Sequence, residues 1–110
     1  MVKLVALVKK KEGMSSEEFH RYWKENHGPL ALKTVPELKK YVQNHTVKMG
    51  KSEPPYDGMA EIWFENMDAY RAYLSFYMGD SGKVIRDDED RFLDKNKMVV
   101  FTAEENVMKE

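Results

Sequence analysis

The chain has 110 residues, no cysteine, and 18 Lys and Arg against 19 Asp and Glu, for a formal net charge of -1. Without cysteine there are no disulfides, no thiolate catalysis and no cysteine-based zinc or iron–sulfur centre. The balanced charge offers no basic surface for nucleic acid or an anionic membrane, and the length suits a single domain, residues 1–110, with one core.

The apolar run from Val2 to Lys9 is rich in β-branched residues and reads as a strand buried on both faces or nearly so. It is far too short to span a bilayer, and it lacks the long apolar region and cleavage site of a signal peptide. A soluble, cytoplasmic protein is expected. Lys10 to Gly13 turn the chain outward, and Ser15 with Glu18 three residues later matches a capping box that starts a helix. Phe19, Tyr22, Trp23, Asn26 and Leu30 then recur at helical spacing and define one face. His27 falls on the flank of that face, roughly 80° from Phe19. Gly28-Pro29 predicts a kink or an end, because proline lacks the N–H and restricts its predecessor. His27 is therefore expected at a helix end, with one further turn before Pro36.

Leu38 to Val47 reads as a second strand, with Tyr41, Gln43 and His45 on one side and Val42 and Asn44 on the other. A proline-rich loop follows. Tyr56 to Phe64 alternates clearly, with Gly58, Ala60 and Ile62 facing the core and Asp57, Met59, Glu61 and Trp63 facing away. Asn66 can cap a helix striped by Tyr70, Tyr73, Leu74 and Tyr77. Gly79 to Gly82 break it. A short helix over Lys83–Leu93 carries Ile85, Glu89 and Phe92 on one side, and Lys97 to Ala103 is a last strand. The run Asp87-Asp88-Glu89-Asp90 reads as a solvated helix face, not a calcium loop. The resulting order predicts an α+β fold: ferredoxin-like βαββαβ, a four-stranded antiparallel sheet with helices on one face. The bare face would show Trp63 and Met59, so a homodimer packed through it is expected.

His27 is the first candidate for chemistry, because histidine is the side chain whose ordinary pKa lies nearest neutrality. It reads either as a general acid or base on the rim of an aromatic pocket or as a helix-end hydrogen bond with no catalytic part. Asp57 and Glu61 lie four residues apart on one strand, roughly 13 Å, too far to share a proton or a metal. Each could orient His27 or a ligand, or serve as a salt-bridged carboxylate. Tyr41 and His45 would join them if they share their face. The chain lacks zinc-type histidine spacing, a phosphate-binding glycine loop and a nucleophile elbow.

Phe19-x-x-Tyr22-Trp23-x-x-x-His27-Gly28-Pro29-Leu30, Tyr41-Val42-Gln43-Asn44-His45, Tyr56-Asp57-Gly58-Met59-Ala60-Glu61-Ile62-Trp63-Phe64 and Asp88-Glu89-x-x-Phe92-Leu93-Asp94 together resemble the EthD-domain family over nearly the whole chain. The resemblance implies a dimeric α/β barrel of two ferredoxin-like units joined through their sheets. Relatives resemble cofactor-independent acid–base enzymes acting on oxygenated cyclic compounds, including a methylmuconolactone isomerase. In isomerase-like members a histidine matching His27 lines the pocket, whereas their cysteine has no counterpart here. The expected activity is a cofactor-free lyase or isomerase in a catabolic or polyketide-type pathway, acting on an aromatic or enolisable cyclic compound. His27 would move the proton, and Tyr22, Trp23, Tyr41, His45, Asp57, Glu61 and Trp63 would bind substrate. A non-catalytic binding protein for a small hydrophobic ligand and a cofactor-free oxygenase are the alternatives.

Overall fold

Val2, Val5 and Val8 favour an extended backbone that packs on both sides, and their strand is central. The structure, a computed structural model, describes all 110 residues, Met1–Glu110. Strand β1 (Val2–Val8) pairs antiparallel with β3 (Gly58–Phe64) on one side and β4 (Val99–Glu104) on the other. β2 (Lys40–His45) closes the far edge on β3, giving the order β2-β3-β1-β4. This is the antiparallel ferredoxin-like sheet expected from the element order.

Helices cover one face of the sheet. Ser15 caps α1 (Ser16–Tyr22), its Oγ accepting from the Glu18 N–H at 3.1 Å. Asn66 caps α3 (Met67–Met78) by accepting from the Ala69 N–H at 2.9 Å. The first helix does not stop at Gly28-Pro29. It passes through a π-helical turn, Trp23–His27, directly into α2 (Gly28–Thr34). The Gly28 N–H reaches back five residues to the Trp23 carbonyl. A π turn holds one residue more than an α turn, and here it comes immediately before Pro29, so the chain stays helical where a regular helix would break. His27 accordingly lies mid-helix with helical dihedrals, not at an end, and it is buried while Asn26 is exposed. The widened turn swings His27 inward and Asn26 outward, reversing the order expected from an ideal helix.

The helical cover continues from α3 through a short 3-10 turn into α4 (Lys83–Glu89). Two apolar clusters form beneath the helices. Leu4, Phe64, Ala69, Tyr70 and Tyr73 lie under α3, and Val8, Phe19, Trp23, Phe92 and Leu93 lie under α1 and the π turn. Phe19, Phe64 and Phe92 are fully buried, each worth about 1.5–3 kcal/mol in area removed from water. Members of both clusters line the cavity between them.

The other sheet face behaves differently from expectation at Trp63. Its indole N–H donates to Glu105 Oε1 at 2.9 Å, and the Lys3 and Lys40 ammonium groups sit 5.1 and 4.7 Å from its ring centroid. The chain's own tail and two lysines thus cover Trp63. The exposed apolar residues of this face are Val99 and Phe101, at 42% and 46%. No helix is long and apolar enough to cross a membrane.

Candidate functional site

The cavity between sheet and helices is about 190 Å³. Leu4, Ala6 and Val8 of β1, with Ala60 and Ile62 of β3, form its floor. Its walls carry the polar groups of His27, Tyr41, Glu89, Trp23 and three tyrosines of α3, Tyr70, Tyr73 and Tyr77. Leu74 and Val100, 39% and 55% exposed, mark its rim. An apolar cavity of about 150 Å³ holds a benzene ring, so this one accommodates a single substituted ring.

His27 enters from the π turn, packed against Phe92 with ring centroids 4.9 Å apart. Its Nδ1 lies 2.8 Å from Asp88 Oδ2, and the other oxygen of Asp88 accepts the Tyr22 hydroxyl at 2.5 Å. A carboxylate only accepts hydrogen bonds, so Nδ1 carries the proton. In the neutral ring Nε2 is then the lone pair, and it has no hydrogen-bond partner in the protein. This is how a carboxylate fixes the tautomer and orientation of a basic histidine. Asp88 is only 9% exposed and His27 7%.

Tyr41 faces the same cavity from β2. Gln43 determines what it can do. The Gln43 amide nitrogen donates to the Trp23 carbonyl at 2.9 Å, which orients the amide. The same nitrogen donates to the Tyr41 oxygen at 2.9 Å, leaving the Tyr41 hydrogen free to donate to a ligand. Burial first, with a smaller contribution from Glu89, pushes the Tyr41 pKa up, so the phenol stays protonated. A Cβ on Gly28 would come within 2.8 Å of the Gln43 amide nitrogen, and one on Gly58 within 2.4 Å of the Trp23 ring. Both positions must therefore be glycine for this packing.

Most of the remaining expected site residues lie elsewhere. Tyr22 is one step removed from the cavity and acts on Asp88. Trp23 lines the cavity. His45 sits beyond Gln43, donating from Nε2 to Gln43 Oε1 at 2.8 Å and meeting His20 Nδ1 through its own Nδ1 at 2.7 Å. Burial, then His20 and Lys24, lower its pKa. Tyr41 and His45 share the helix face, opposite Glu61. Asp57 precedes β3 and accepts the Lys10 backbone N–H at 2.7 Å, tying that loop to β1. Glu61 pairs with Lys3 at 2.8 Å on the open face, and that contact chiefly depresses its carboxyl pKa. Glu61 and Trp63 are separated from the cavity by the thickness of the sheet.

The acidic run holds the residues that the sequence reading overlooked. Asp87 and Asp90 are solvated as expected, but Asp88 and Glu89 point inward. Asp88 lies three residues after buried Ile85 and four before buried Phe92, and that spacing places it on the inner face. No group of three or more His, Asp or Glu side chains converges to hold a metal ion.

Together these features define a ferredoxin-like α+β domain with a helix-side cavity lined by a histidine that a buried carboxylate orients. The chain belongs to the EthD family: the family's sequence pattern, described as the EthD domain, matches residues 11–96. An EthD family protein from Bacillus halodurans is 23% identical, with 96% of this chain and 99% of that one covered and a TM-score of 0.73. An EthD-like protein from Ralstonia eutropha is 16% identical over 98% and 94% of the two chains, with a TM-score of 0.72. A Bacteroides fragilis protein described as dimeric, of unknown function and ferredoxin-like, is 11% identical over 94% of each chain, with a TM-score of 0.63. None of the curated proteins matches the chain.

Proposed function

We propose that this protein is a cofactor-independent acid–base enzyme, a lyase or isomerase, acting on a small enolisable ring compound. The observation that carries the reading is the Asp88–His27 pair, which leaves a basic Nε2 in an apolar cavity of single-ring size. Nε2 takes a proton from the carbon beside a carbonyl. The Tyr41 hydroxyl donates to that carbonyl oxygen, where negative charge develops as the enolate forms. Asp88 offsets the positive charge then gained by the imidazole. Returning the proton to another carbon isomerises the ring, whereas loss of a β-substituent completes an elimination. Neither outcome needs an oxidant or a metal.

Cyclohexanone is a suitable neutral probe. In D2O the protein should accelerate deuteration of its α-carbons, followed by proton NMR. His27→Ala should lose about 10²–10⁴ of that acceleration, the usual contribution of one general base. Exchange no faster than buffer, or unchanged in His27→Ala, removes the catalytic reading and leaves a binding protein.

A homodimer through the open sheet face accompanies this reading. Exposed Val99 and Phe101 on that face support it, as does the dimeric description of the Bacteroides fragilis protein.

A further inference from the structure

The proton transfer above makes no use of Glu89, although this residue lines the same cavity. Glu89 is the last residue of α4. Its Oε1 accepts the Tyr77 hydroxyl at 2.6 Å and pairs with Lys95 Nζ at 3.3 Å, and the side chain is 14% exposed. Both contacts fall on one oxygen, so Oε2 has no partner in the protein. The lysine lies against the carboxylate from outside, and the tyrosine fixes its direction. The same cavity is lined by the donors Tyr41 and Tyr73 and by His27. The Tyr73 hydroxyl makes no hydrogen bond within the protein, and every fully buried side-chain polar atom is satisfied, so that hydroxyl is open to the cavity. The charge on Glu89 is felt at both phenols, adding to the burial that already raises their pKa values.

A fixed anion in an otherwise apolar wall sorts ligands by charge. A ligand carboxylate would face it with little water between, where like charges repel strongly. A ligand hydroxyl would donate to Oε2 in a charge-assisted hydrogen bond. An analogue lacking that hydrogen would leave the oxygen unpaired. We propose that Glu89 is the specificity-determining residue of the cavity, selecting a neutral single ring that bears a hydroxyl and rejecting ring carboxylates. The proposal rests on the cavity being the substrate site, and it names the substrate class: a hydroxylated cyclic ketone or enol without an acid group.

Calorimetry at pH 7 with three rings of similar size tests it: 3-methylphenol, 3-methylanisole and 3-methylbenzoate. The wild-type protein should bind the phenol about ten-fold or more tighter than either of the others, the ratio expected for one hydrogen bond to a charged group. Glu89→Gln should narrow the preference for the phenol over the benzoate about ten-fold while leaving the methyl ether unchanged. His27→Ala should keep the wild-type ranking. Equal binding of benzoate and phenol by the wild type overturns the proposal without any variant, and so does an unaltered phenol-to-benzoate affinity ratio in folded Glu89→Gln. Either result leaves His27 chemistry standing. Failure of all three rings to bind overturns both the proposal and the cavity as a substrate site.

Discussion

His27 and Asp88 lie 61 residues apart in the chain and 2.8 Å apart in the fold. Their pairing accounts for three otherwise separate facts: a buried histidine, a buried carboxylate in an acidic run, and a tyrosine hydroxyl bonded to that carboxylate. Asp88 does not face the cavity and acts through His27, so it is a positioning residue. Replacing it by Asn keeps the shape but lets the amide nitrogen turn toward Nδ1, favouring the tautomer with the proton on Nε2. Asp88→Asn should therefore slow α-carbon exchange of cyclohexanone by about ten-fold or more while barely changing the binding of 3-methylanisole. Equal losses in binding and rate would indicate a purely structural carboxylate. Asp88 was legible only in part. Its spacing from Ile85 and Phe92 marks the inner face of α4, but its partner comes from a distant helix that no local pattern reveals.

At the scale of elements, the π turn and α3 shape the cavity. The π turn spends a regular hydrogen-bond register, a feature frequent at functional sites, and gains an inward His27 together with a Trp23 carbonyl that also anchors Gln43. Helical projection missed this because it assumes a constant turn, and the Gly28-Pro29 signal was read as a kink or an end. Helix α3 contributes the tyrosine stripe, which its periodicity did show. Burial is the first cause raising both Tyr73 and Tyr77 above the usual 10.0, with Glu89 adding to each. The folded chain then holds these protons where the unfolded chain releases them. The sign follows directly: the contribution to stability is complete below pH 10.0 and is lost as pH rises above it toward the folded values. Thermal denaturation should give a level melting temperature from pH 8 to 9.5 and a falling one above pH 10, with a shallower fall in Tyr73→Phe. A profile unchanged by that substitution would contradict a protonated Tyr73 in the cavity wall.

For the whole molecule, the sheet type followed from the order of the elements, and the two faces of each strand from its period of two. What lies against each face did not follow. Trp63 and Glu61, read as site residues, occupy the side away from the helices, where Lys3, Lys40 and Glu105 satisfy them. Their mixture of charge and aromatic surface is explained by contacts with β1 and the C-terminal tail, which sequence distance concealed. The same face still leaves Val99 and Phe101 exposed on β4. Sedimentation at micromolar concentration should show a dimer, and Phe101→Glu should shift it to monomer. A wild-type monomer under those conditions removes the homodimer and leaves the cavity argument intact, since one chain supplies every residue in it.

The central claim is that Asp88 presents the unprotonated Nε2 of His27 to the cavity. Long-range proton–nitrogen NMR of imidazole-labelled protein at pH 8, with His27→Gln for assignment, reads that arrangement directly. The account predicts a neutral His27 with its proton on Nδ1, and an Nε2 resonance that shifts when 3-methylphenol is added. A His27 ring protonated on Nε2, or an Nε2 resonance indifferent to a bound ring, would contradict it.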